Sequence, residues 1–486
     1  MRVILLDIDA TRPDHLGCYG YHRNTSPNID KIARDGVRFK NYHCSDAPCL
    51  PSRTALMTGR FGIHTGVVNH GGVAADYRYD GLNRGFQDKL TTSSLPALFR
   101  KAGMRSVLIS PFAERHSTWN FYAGFTEIYN TGKAGRESAE EISPTVIDWL
   151  DRNSDEDDWF LYINYWDPHT PYRAPDEYGN PFENQPLKDF YTEELLQKQL
   201  KAVGPHTSQE LYSYHDTPKF GMPRALGKLT NFEDLRIFVD GYDIGIHYAD
   251  SHIGKIIDIL ESKGIYEDVA IIVTSDHGEN MGELSIYGEH ATADQITTNI
   301  PMIIKWPGSR KNEEIKGFYY NLDLCPTIAD LLQVEKSEDW DGASYAESIF
   351  KPVDKGHDEL ILGQLAHVCQ RSVRFDNWIY IRTYHDGYHL FPKEMLFDIE
   401  KDPHETQNVA SQFPDVCKDA VYRLNNWHDK MMLTMDHEDP LWTVLREGGP
   451  HHAKGHLKDY VERLQATGRG GTAVDELKHR HPREFE

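Results

Sequence analysis

Cysteine is scarce in this chain, and the cysteines that are present form no dense pattern. Six occur among 486 residues, and no two of them have the C-x-x-C spacing. Small disulfide scaffolds are rich in cysteine, and structural zinc modules usually carry closely spaced cysteine pairs. The composition therefore excludes a disulfide scaffold and gives no indication of a structural zinc module.

An excess of positive charge is absent as well. The formal net charge is −23 at pH 7, whereas a nucleic-acid-binding protein needs a basic face. We therefore expect no nucleic-acid partner. A small anionic substrate remains compatible with this charge, because a few local cations or a metal ion can dominate the potential of a pocket.

Long apolar runs are also missing. A membrane-spanning helix needs about 20 consecutive apolar residues, and no run in the chain approaches that length. The sequence opens with a strand-like run at residues 3–6 and not with the basic segment and long apolar core of a secretory signal. We expect a cytoplasmic protein with no membrane partner, and the sequence leaves the oligomeric state open.

Short apolar runs alternate with helical patterns along the first two thirds of the chain. Strand-like runs at residues 106–109, 160–164 and 269–274 each follow a helical segment, at residues 94–102, 144–152 and 242–263. Gly103 and Gly264 stop two of those helices. This order is typical of an α/β fold in which helices flank a large, mostly parallel sheet.

The remainder of the chain predicts a second, smaller unit. We place the larger, N-terminal domain at residues 1–355, with a polar surface excursion at about 175–232, and a C-terminal α+β subdomain at residues 356–486. In that subdomain, residues 372–383 and 394–399 resemble strands of a small antiparallel sheet. A helix at about 415–432 should pack on this sheet. A charged tail with one helical piece at 456–467 follows.

Acidic residues stand at the ends of two of the predicted strands. Asp7 and Asp9 close the first strand, and Asp276 with His277 follows the run at 269–274. A single such aspartate ordinarily caps a helix or fastens a loop. Two strand ends in a fold that gathers strand ends together favour a metal site, and carboxylate oxygens suit Ca²⁺, Mg²⁺ or Mn²⁺.

Two histidines stand in loops that follow or precede strands. His169 lies between Pro168 and Pro171, which restrict the loop. It could protonate a leaving oxygen, or it could be an ordinary surface histidine in a rigid loop. His290 precedes the run at 300–304 and could contact an anionic substrate, or it could be a solvated loop residue.

The segment Cys49-Leu50-Pro51-Ser52-Arg53 opens a short helical run. Pro51 suits a first helical position, which would turn the free amides of Ser52 and Arg53 toward Cys49. Arg53 lies one turn further along and can reach back to the same place. The pattern indicates an anion site with a modifiable nucleophile, and its alternative is an inert buried cysteine.

Together, these motifs resemble one known family. C-x-P-S-R at 49–53, followed by Thr58-Gly59-Arg60, resembles the signature of the type I sulfatases of the alkaline phosphatase superfamily. Segments 9–20, 167–172, 276–279, 306–308 and 396–405 resemble further motifs of that family. The resemblance runs from the first strand to about residue 410.

The resemblance implies an alkaline-phosphatase-like fold and a specific covalent chemistry. A sulfatase-maturing enzyme would oxidise Cys49 to formylglycine, whose hydrate carries the attacking hydroxyl and later helps to expel sulfate. Arg53 would steady the nucleophile, and His169 would be a candidate acid for the leaving group. The resemblance implies a metal, expected to be Ca²⁺, held by residue 49, Asp9, Asp276 and His277.

The sequence departs from the family pattern at three places. Ala10 replaces a second acid of the first metal motif, and Asp7 is the candidate replacement. A lysine and histidine of the family correspond to the segment 110–116, where His116 or Arg115 could substitute. The lysine expected before the run at 300–304 is replaced by His290. We therefore expect a sulfate pocket that is less cationic and richer in histidine.

The sequence and the resemblance together predict a sulfuric ester hydrolase that acts on a sulfated carbohydrate or another small sulfate ester. A phosphonate monoester or phosphodiester hydrolase of the same superfamily is the nearest alternative. A catalytically silent binding protein that keeps the fold is the alternative from another class.

Overall fold

The structure is a computed structural model of the chain, and it describes residues 1–78, 85–86, 88–217 and 224–486. The strands within these ranges form an eight-stranded sheet, a five-stranded sheet and a two-stranded pair. No helix in the same ranges is both long enough and apolar enough to cross a membrane.

The described residues contain fifteen strands and sixteen α-helices. The strands are β1 (Arg2–Ile8), β2 (Val37–His43), β3 (Asp46–Ala47), β4 (Arg105–Ile109), β5 (Glu127–Tyr129), β6 (Trp159–Tyr165), β7 (Val269–Thr274), β8 (Asn280–Met281), β9 (Tyr287–Glu289), β10 (Met302–Lys305), β11 (Glu313–Tyr320), β12 (Glu359–Gln364), β13 (Cys369–Phe375), β14 (Trp378–His385) and β15 (Glu394–Asp398). The helices are α1 (Pro27–Arg34), α2 (Cys49–Thr58), α3 (Gly62–Thr65), α4 (Leu90–Ser93), α5 (Leu95–Lys101), α6 (Phe112–Arg115), α7 (Ala139–Asn153), α8 (Glu193–Gln199), α9 (Phe232–Ser262), α10 (Gln295–Thr298), α11 (Leu324–Leu332), α12 (Ala346–Phe350), α13 (Pro414–Met432), α14 (Pro440–Arg446), α15 (Leu457–Ala466) and α16 (Gly471–Arg480).

The large sheet has the strand order β11-β2-β10-β7-β1-β6-β4-β5. Strands β7, β1, β6, β4 and β5 run parallel to one another, and β10 is antiparallel to both of its neighbours. Every residue of β6 and β7 is buried, as expected for strands with both faces covered. The predicted α/β fold with a mostly parallel sheet is confirmed.

Helix α9 begins at Phe232, ten residues before the predicted start at 242. Asn231 caps it, because its side-chain oxygen accepts the N–H of Asp234 at 3.0 Å. Gly241, directly before the predicted start, resembles a helix stop in the sequence. At Gly245, further along the helix, a Cβ would lie 2.6 Å from the carbonyl oxygen of Asp167. Glycine there lets the loop after β6 pack directly on α9.

The small sheet has the order β15-β14-β13-β12-β3. Strands β12 to β15 are antiparallel, and β3 from the first part of the chain joins β12 in parallel. The segment predicted as a strand at 372–383 is a hairpin that turns at Asp376, whose φ is 45°. The sheet therefore contains strands from both sides of residue 355, and the domain boundary placed there stays a prediction.

Candidate active site

The candidate site lies at one edge of the large sheet, where its parallel strands end. Strands β2 and β7 are both antiparallel to β10, so β2 points the same way as β1. Segments that follow β1, β2, β4, β6 and β7, and the segment that precedes β10, therefore meet at this edge. These segments carry the predicted site residues Asp9, Cys49, His116, His169, Asp276, His277 and His290.

Cys49 is the first residue of α2, and its side chain is buried, with 2% of the residue exposed. The helix thus begins two residues before Pro51, and the N–H of Ser52 bonds to the Pro48 carbonyl at 3.0 Å. The expectation that this amide faces Cys49 is therefore wrong. Burial raises the pKa of the Cys49 thiol to about 11. At neutral pH the thiol is uncharged, unlike the low-pKa cysteines that act directly as nucleophiles.

Arg53 joins three acidic side chains at the centre of the site. Its guanidinium donates to Asp7 at 2.7 Å, to Asp276 at 2.6 Å and to Asp9 at 3.0 Å. The ring of Phe112 lies against the guanidinium, with 4.7 Å between the guanidinium carbon and the ring centroid. Although burial opposes it, the three carboxylates hold the pKa of Arg53 well above its usual range. Arg53 therefore fixes the positions of carboxylates that would otherwise repel one another.

Four side chains form a set suited to a divalent cation. Ligand atoms of Asp9, Cys49, Asp276 and His277 all lie within 4.8 Å of one another, and all four residues are buried. Nε2 of His277 is 3.1 Å from the Cys49 Sγ and 3.1 Å from an Asp276 oxygen. Its other ring nitrogen lies 2.9 Å from the Gly278 carbonyl, an arrangement that leaves Nε2 available as a ligand.

The fit of a cation is supported by an unpaired atom. Asp9 Oδ1 is buried and has no hydrogen-bond partner, and burial together with Asp276 raises the pKa of Asp9 to about 6. A bound cation would satisfy such an oxygen. One oxygen of Asp7 accepts from both Arg53 and Tyr162, and the other, Oδ1, is buried without a hydrogen-bond partner, like Asp9 Oδ1. Asp7 does not belong to the four-residue set, and the role of Asp7 as a ligand stays a prediction.

The three predicted histidines all lie close to Cys49. His169 Nε2 is 4.0 Å from Asp9 Oδ1, and the ring of His290 stacks on His277 with 3.7 Å between centroids. His116 reaches the site from the opposite side, where ligand atoms of His116, His70 and Cys49 lie within 4.8 Å of one another. The site is thus surrounded by imidazole rings.

Several residues of the site were not found from the sequence. His70 Nδ1 lies 2.9 Å from His452 Nε2, and the His452 ring stacks on His367 with 4.1 Å between centroids. Glu289 lies 2.9 Å from the His290 ring and 3.3 Å from His206. These residues come from distant loops and from the tail, and no local pattern marks any of them.

The imidazoles supply little positive charge at neutral pH. Burial lowers the pKa of each of His70, His116, His169, His290, His367 and His452. None of the side chains named around Cys49 is a lysine. His277 is the exception, because Asp276 and Cys49 raise its pKa well above the usual range although burial opposes it. The histidines around the four-residue set are otherwise largely neutral, and a less cationic pocket stays a prediction.

Comparison with protein families agrees with this geometry. The sulfatase family profile matches residues 2–334, and the profile of the N-sulphoglucosamine sulphohydrolase C-terminal region matches residues 282–430. The first match covers more than half of the chain, so the chain belongs to the sulfatase family. The predicted class of enzyme, a hydrolase of sulfate esters, is confirmed at the level of the family.

Individual relatives are distant. The choline-sulfatase of Rhizobium meliloti (strain 1021) is 26% identical over an alignment of 430 positions, which covers 79% of this chain and 77% of that protein. A protein solved in complex with its substrate D-glucosamine-2-N,6-O-disulfate has a TM-score of 0.71 at 18% identity, covering 90% of this chain and 99% of that one. The phosphonate monoester hydrolase of Agrobacterium radiobacter has a TM-score of 0.68 at 19% identity, covering 88% and 96%. The solved structures establish the shared fold.

Proposed function

We propose that this enzyme removes sulfate from a sulfated carbohydrate, with a formylglycine made from Cys49 and a divalent cation, Ca²⁺ in the first place. The observation that carries the proposal is the buried Cys49 Sγ within 4.8 Å of ligand atoms of Asp9, Asp276 and His277. A carbohydrate is supported by the sugar disulfate bound in one structural relative and by the match to a sulphoglucosamine sulphohydrolase region.

The state of the thiol favours modification over direct thiolate catalysis. A buried thiol with a pKa of about 11 is a poor nucleophile at neutral pH. A hydrated formylglycine supplies a hydroxyl nucleophile, and a divalent cation makes such a hydroxyl more acidic. Asp9, Asp276 and His277 would hold the cation, while Arg53 keeps two of those carboxylates in place.

His169 is placed to exchange a proton with a leaving alcohol. Its Nδ1 contacts the Thr170 carbonyl, which favours the tautomer with the proton on Nδ1. Nε2 then faces the site, 4.0 Å from Asp9 Oδ1. In this neutral tautomer Nε2 carries no proton, so Nε2 is the atom at which His169 would accept a proton and, once protonated, pass it to a leaving alcohol.

The central experiment compares substrates for enzyme produced together with a sulfatase-maturing enzyme. We expect kcat/KM to be higher for an aryl sulfate than for an aryl phosphodiester or an aryl phosphonate monoester. A panel of defined sulfated mono- and disaccharides should then contain a better substrate than the aryl sulfate. Cys49→Ala is the control, and we expect it to lose at least about 10³-fold in kcat.

A second candidate function is hydrolysis of phosphonate monoesters or phosphodiesters. It is supported by the fold shared with the phosphonate monoester hydrolase of Agrobacterium radiobacter. A clear preference for the aryl phosphodiester or phosphonate would replace the sulfatase proposal with this one.

The alternative of a catalytically silent binding protein is tested by mass spectrometry. The tryptic peptide containing Cys49 should carry the mass of formylglycine after co-expression with the maturing enzyme. An unmodified thiol in that peptide, together with no turnover of any substrate, would favour a binding protein.

The identity of the cation is tested by removal and replacement. Dialysis against a chelator should abolish turnover, and Ca²⁺ should restore it better than Mg²⁺ or Mn²⁺. Better recovery with Mg²⁺ or Mn²⁺ would correct the proposed ion and leave the proposed reaction intact.

A further inference from the structure

A second group of potential metal ligands lies beside the nucleophile. His206 Nε2 is 3.3 Å from one oxygen of Glu289, and His367 Nε2 is 3.6 Å from the other. The ligand atoms of all three residues lie within 4.8 Å of one another. His206 comes from the segment between α8 and α9, Glu289 ends β9, and His367 lies between β12 and β13. The group is therefore assembled by the tertiary fold.

The chemistry of this group is that of an open transition-metal site. Two imidazoles and one carboxylate are the protein ligands of several catalytic zinc sites, in which a fourth position stays open. Ligands at about 2.0–2.2 Å from a tetrahedral ion lie roughly 3.3–3.6 Å from one another. The two measured nitrogen–oxygen distances fall in this range, and they end at different oxygens of Glu289. An ion held by both imidazoles would therefore contact both oxygens of Glu289 or require a rotation of its carboxyl group.

The fold holds the three residues in place. The His206 carbonyl accepts the N–H of Tyr287 at 2.8 Å, which fastens His206 to β9 close to Glu289. The Gln364 side chain donates to the His290 carbonyl at 2.9 Å and accepts the N–H of His367 at 3.0 Å. The loop that carries His367 is thereby fastened to the residue that follows Glu289.

Binding of an ion through Nε2 of His206 would change the contact that the other ring nitrogen, Nδ1, makes. In the structure, Nδ1 of His206 faces the N–H of Ser213 at 3.4 Å, so binding would move the ring proton to Nδ1 and give up this contact. The contact is long for a hydrogen bond, and the loss is small beside a metal–nitrogen bond.

The charge of the pocket supplies a reason for a second cation. Asp7, Asp9, Asp276 and Glu289 place four carboxyl groups around the site, while Arg53 is the cation that pairs with the first three. A further cation beside these carboxyl groups would favour the approach of a negatively charged ester.

We propose that His206, Glu289 and His367 hold a second divalent cation, Zn²⁺ or a similar transition-metal ion, whose charge faces the anionic group of the substrate. The role of this ion toward the substrate rests on the proposed function, whereas the binding of the ion is independent of it.

The test measures zinc binding without turnover. Cys49→Ala serves as the background, because a cysteine thiol beside His277 and His290 could itself bind zinc, and Ca²⁺ is kept in excess to fill the neighbouring site. Isothermal titration with Zn²⁺ alone, and metal analysis after desalting, should give about one equivalent bound. Replacing Zn²⁺ by Co²⁺ should give the visible absorption of a tetrahedral site.

Three substitutions in that background remove single ligands: His206→Gln, His367→Gln and the near-isosteric Glu289→Gln. Each should weaken zinc binding by more than tenfold, since even the loss of a residue behind a ligand costs about 10–100-fold. The matched control is His385→Gln, from a histidine–aspartate–histidine group elsewhere. There, Asp386 already accepts from His481 at 2.8 Å and from Arg480 at 3.0 Å. We expect this variant to bind zinc like the background.

The proposal is overturned if the Cys49→Ala protein binds no zinc, or if zinc binding survives all three ligand substitutions. Circular dichroism of each zinc-free variant identifies any that fails to fold, and the Glu289→Gln variant is the least disruptive of the three. Matured enzyme that binds zinc but hydrolyses no sulfate ester would refute the proposed function and leave the metal site standing. The opposite result would refute the site alone.

Discussion

Arg53 illustrates how a single side chain organises this site. Its three nitrogens donate to Asp7, Asp9 and Asp276, and all four side chains are almost completely buried. The three carboxylates can be buried because the planar guanidinium of Arg53 donates a hydrogen bond to each of them. An ammonium group has a point charge and a different geometry, so lysine is no conservative replacement here.

We therefore expect both Arg53→Lys and Arg53→Ala to reduce stability and turnover. Removing one partner of a buried ion pair costs about 3–5 kcal/mol, and Arg53→Ala should fall at or above that range. Arg152→Ala is the control, since its pair with Asp148 is more than half exposed and should contribute little to stability. Thermal unfolding and kcat/KM provide the readout, and equal losses in the two alanine variants would contradict the assigned role.

Helix α9 positions the loop that carries His169. Gly245 faces the backbone of Asp167 and Pro168 so closely that a Cβ would lie 2.6 Å from one atom and 3.1 Å from another. Both close neighbours are backbone atoms, so a side-chain rotation cannot relieve the contact. The helix and the loop therefore depend on each other for their positions.

We predict that Gly245→Ala destabilises the protein and lowers kcat. In an exposed helix the same change would stabilise by about 1 kcal/mol, whereas overpacking here should cost about 1–3 kcal/mol. Ser262→Ala at the exposed end of α9 is the matched control and should stay within about 0.5 kcal/mol of the parent. Denaturant unfolding measures the sign, and a stabilised Gly245→Ala variant would show that the loop does not pack as described.

The C-terminal tail extends the active site beyond the region covered by the two family profiles. These profiles end at residue 430, yet His452 contacts His70 at 2.9 Å beside the nucleophile. The tail is fastened to the rest of the chain by buried ion pairs. Arg371 donates twice to Asp439, and Arg463 and Arg469 both contact Glu210. The pocket is therefore completed by a segment distant in sequence.

His452→Gln should lower kcat/KM by several-fold to about tenfold, the worth of one hydrogen bond of about 1 kcal/mol in the pocket. His451→Gln is the control, because His451 is the neighbour of His452 in the sequence and is exposed. Matured enzyme and the best sulfated substrate serve for the kinetics. Indistinguishable kinetics for the two variants would indicate that His452 has no contact with substrate or with the residues that hold it.

The stability of the contact between the C-terminal tail and the rest of the chain should also depend on pH. Although burial opposes it, hydrogen bonding from His481 lowers the pKa of Asp386 from 3.8 to about 2. A carboxyl group whose pKa is lower in the folded than in the unfolded protein stabilises the fold at any pH above its unfolded-state pKa. This stabilisation is lost as the pH falls through the folded-state pKa. The ionised form is then worth about 2 kcal/mol near neutral pH, and this contribution disappears between about pH 4 and pH 2.

Asp386→Asn removes the titrating group and keeps the size of the side chain. Between pH 7 and pH 3, the parent should lose about 1 kcal/mol more of its free energy of unfolding than the variant does. Urea unfolding at the two pH values measures the difference. Identical acid sensitivity in both proteins would contradict the assignment.

Much of the fold was predictable from local patterns. The runs at 106–109, 160–164 and 269–274 are strands because each is short, apolar and bounded by helix stops. The start of α9 and the hairpin at Asp376 were wrong for local reasons. Glycines inside a helix resemble helix stops, and a two-residue turn between apolar strands resembles a continuous strand.

The nucleophile, its arginine and the strand-end acids could be found from the sequence, because each belongs to a short motif in which spacing reflects one turn of helix or one strand end. His70, His206, His367 and His452 could not, because each is a single residue in its own loop, and Glu289 could not, because nothing local distinguishes it from other acids that end a strand. Only tertiary packing, including that of the excursion and the tail, brings these side chains together near Cys49. That packing results from buried apolar contacts and ion pairs between segments hundreds of residues apart, and local sequence carries no record of it.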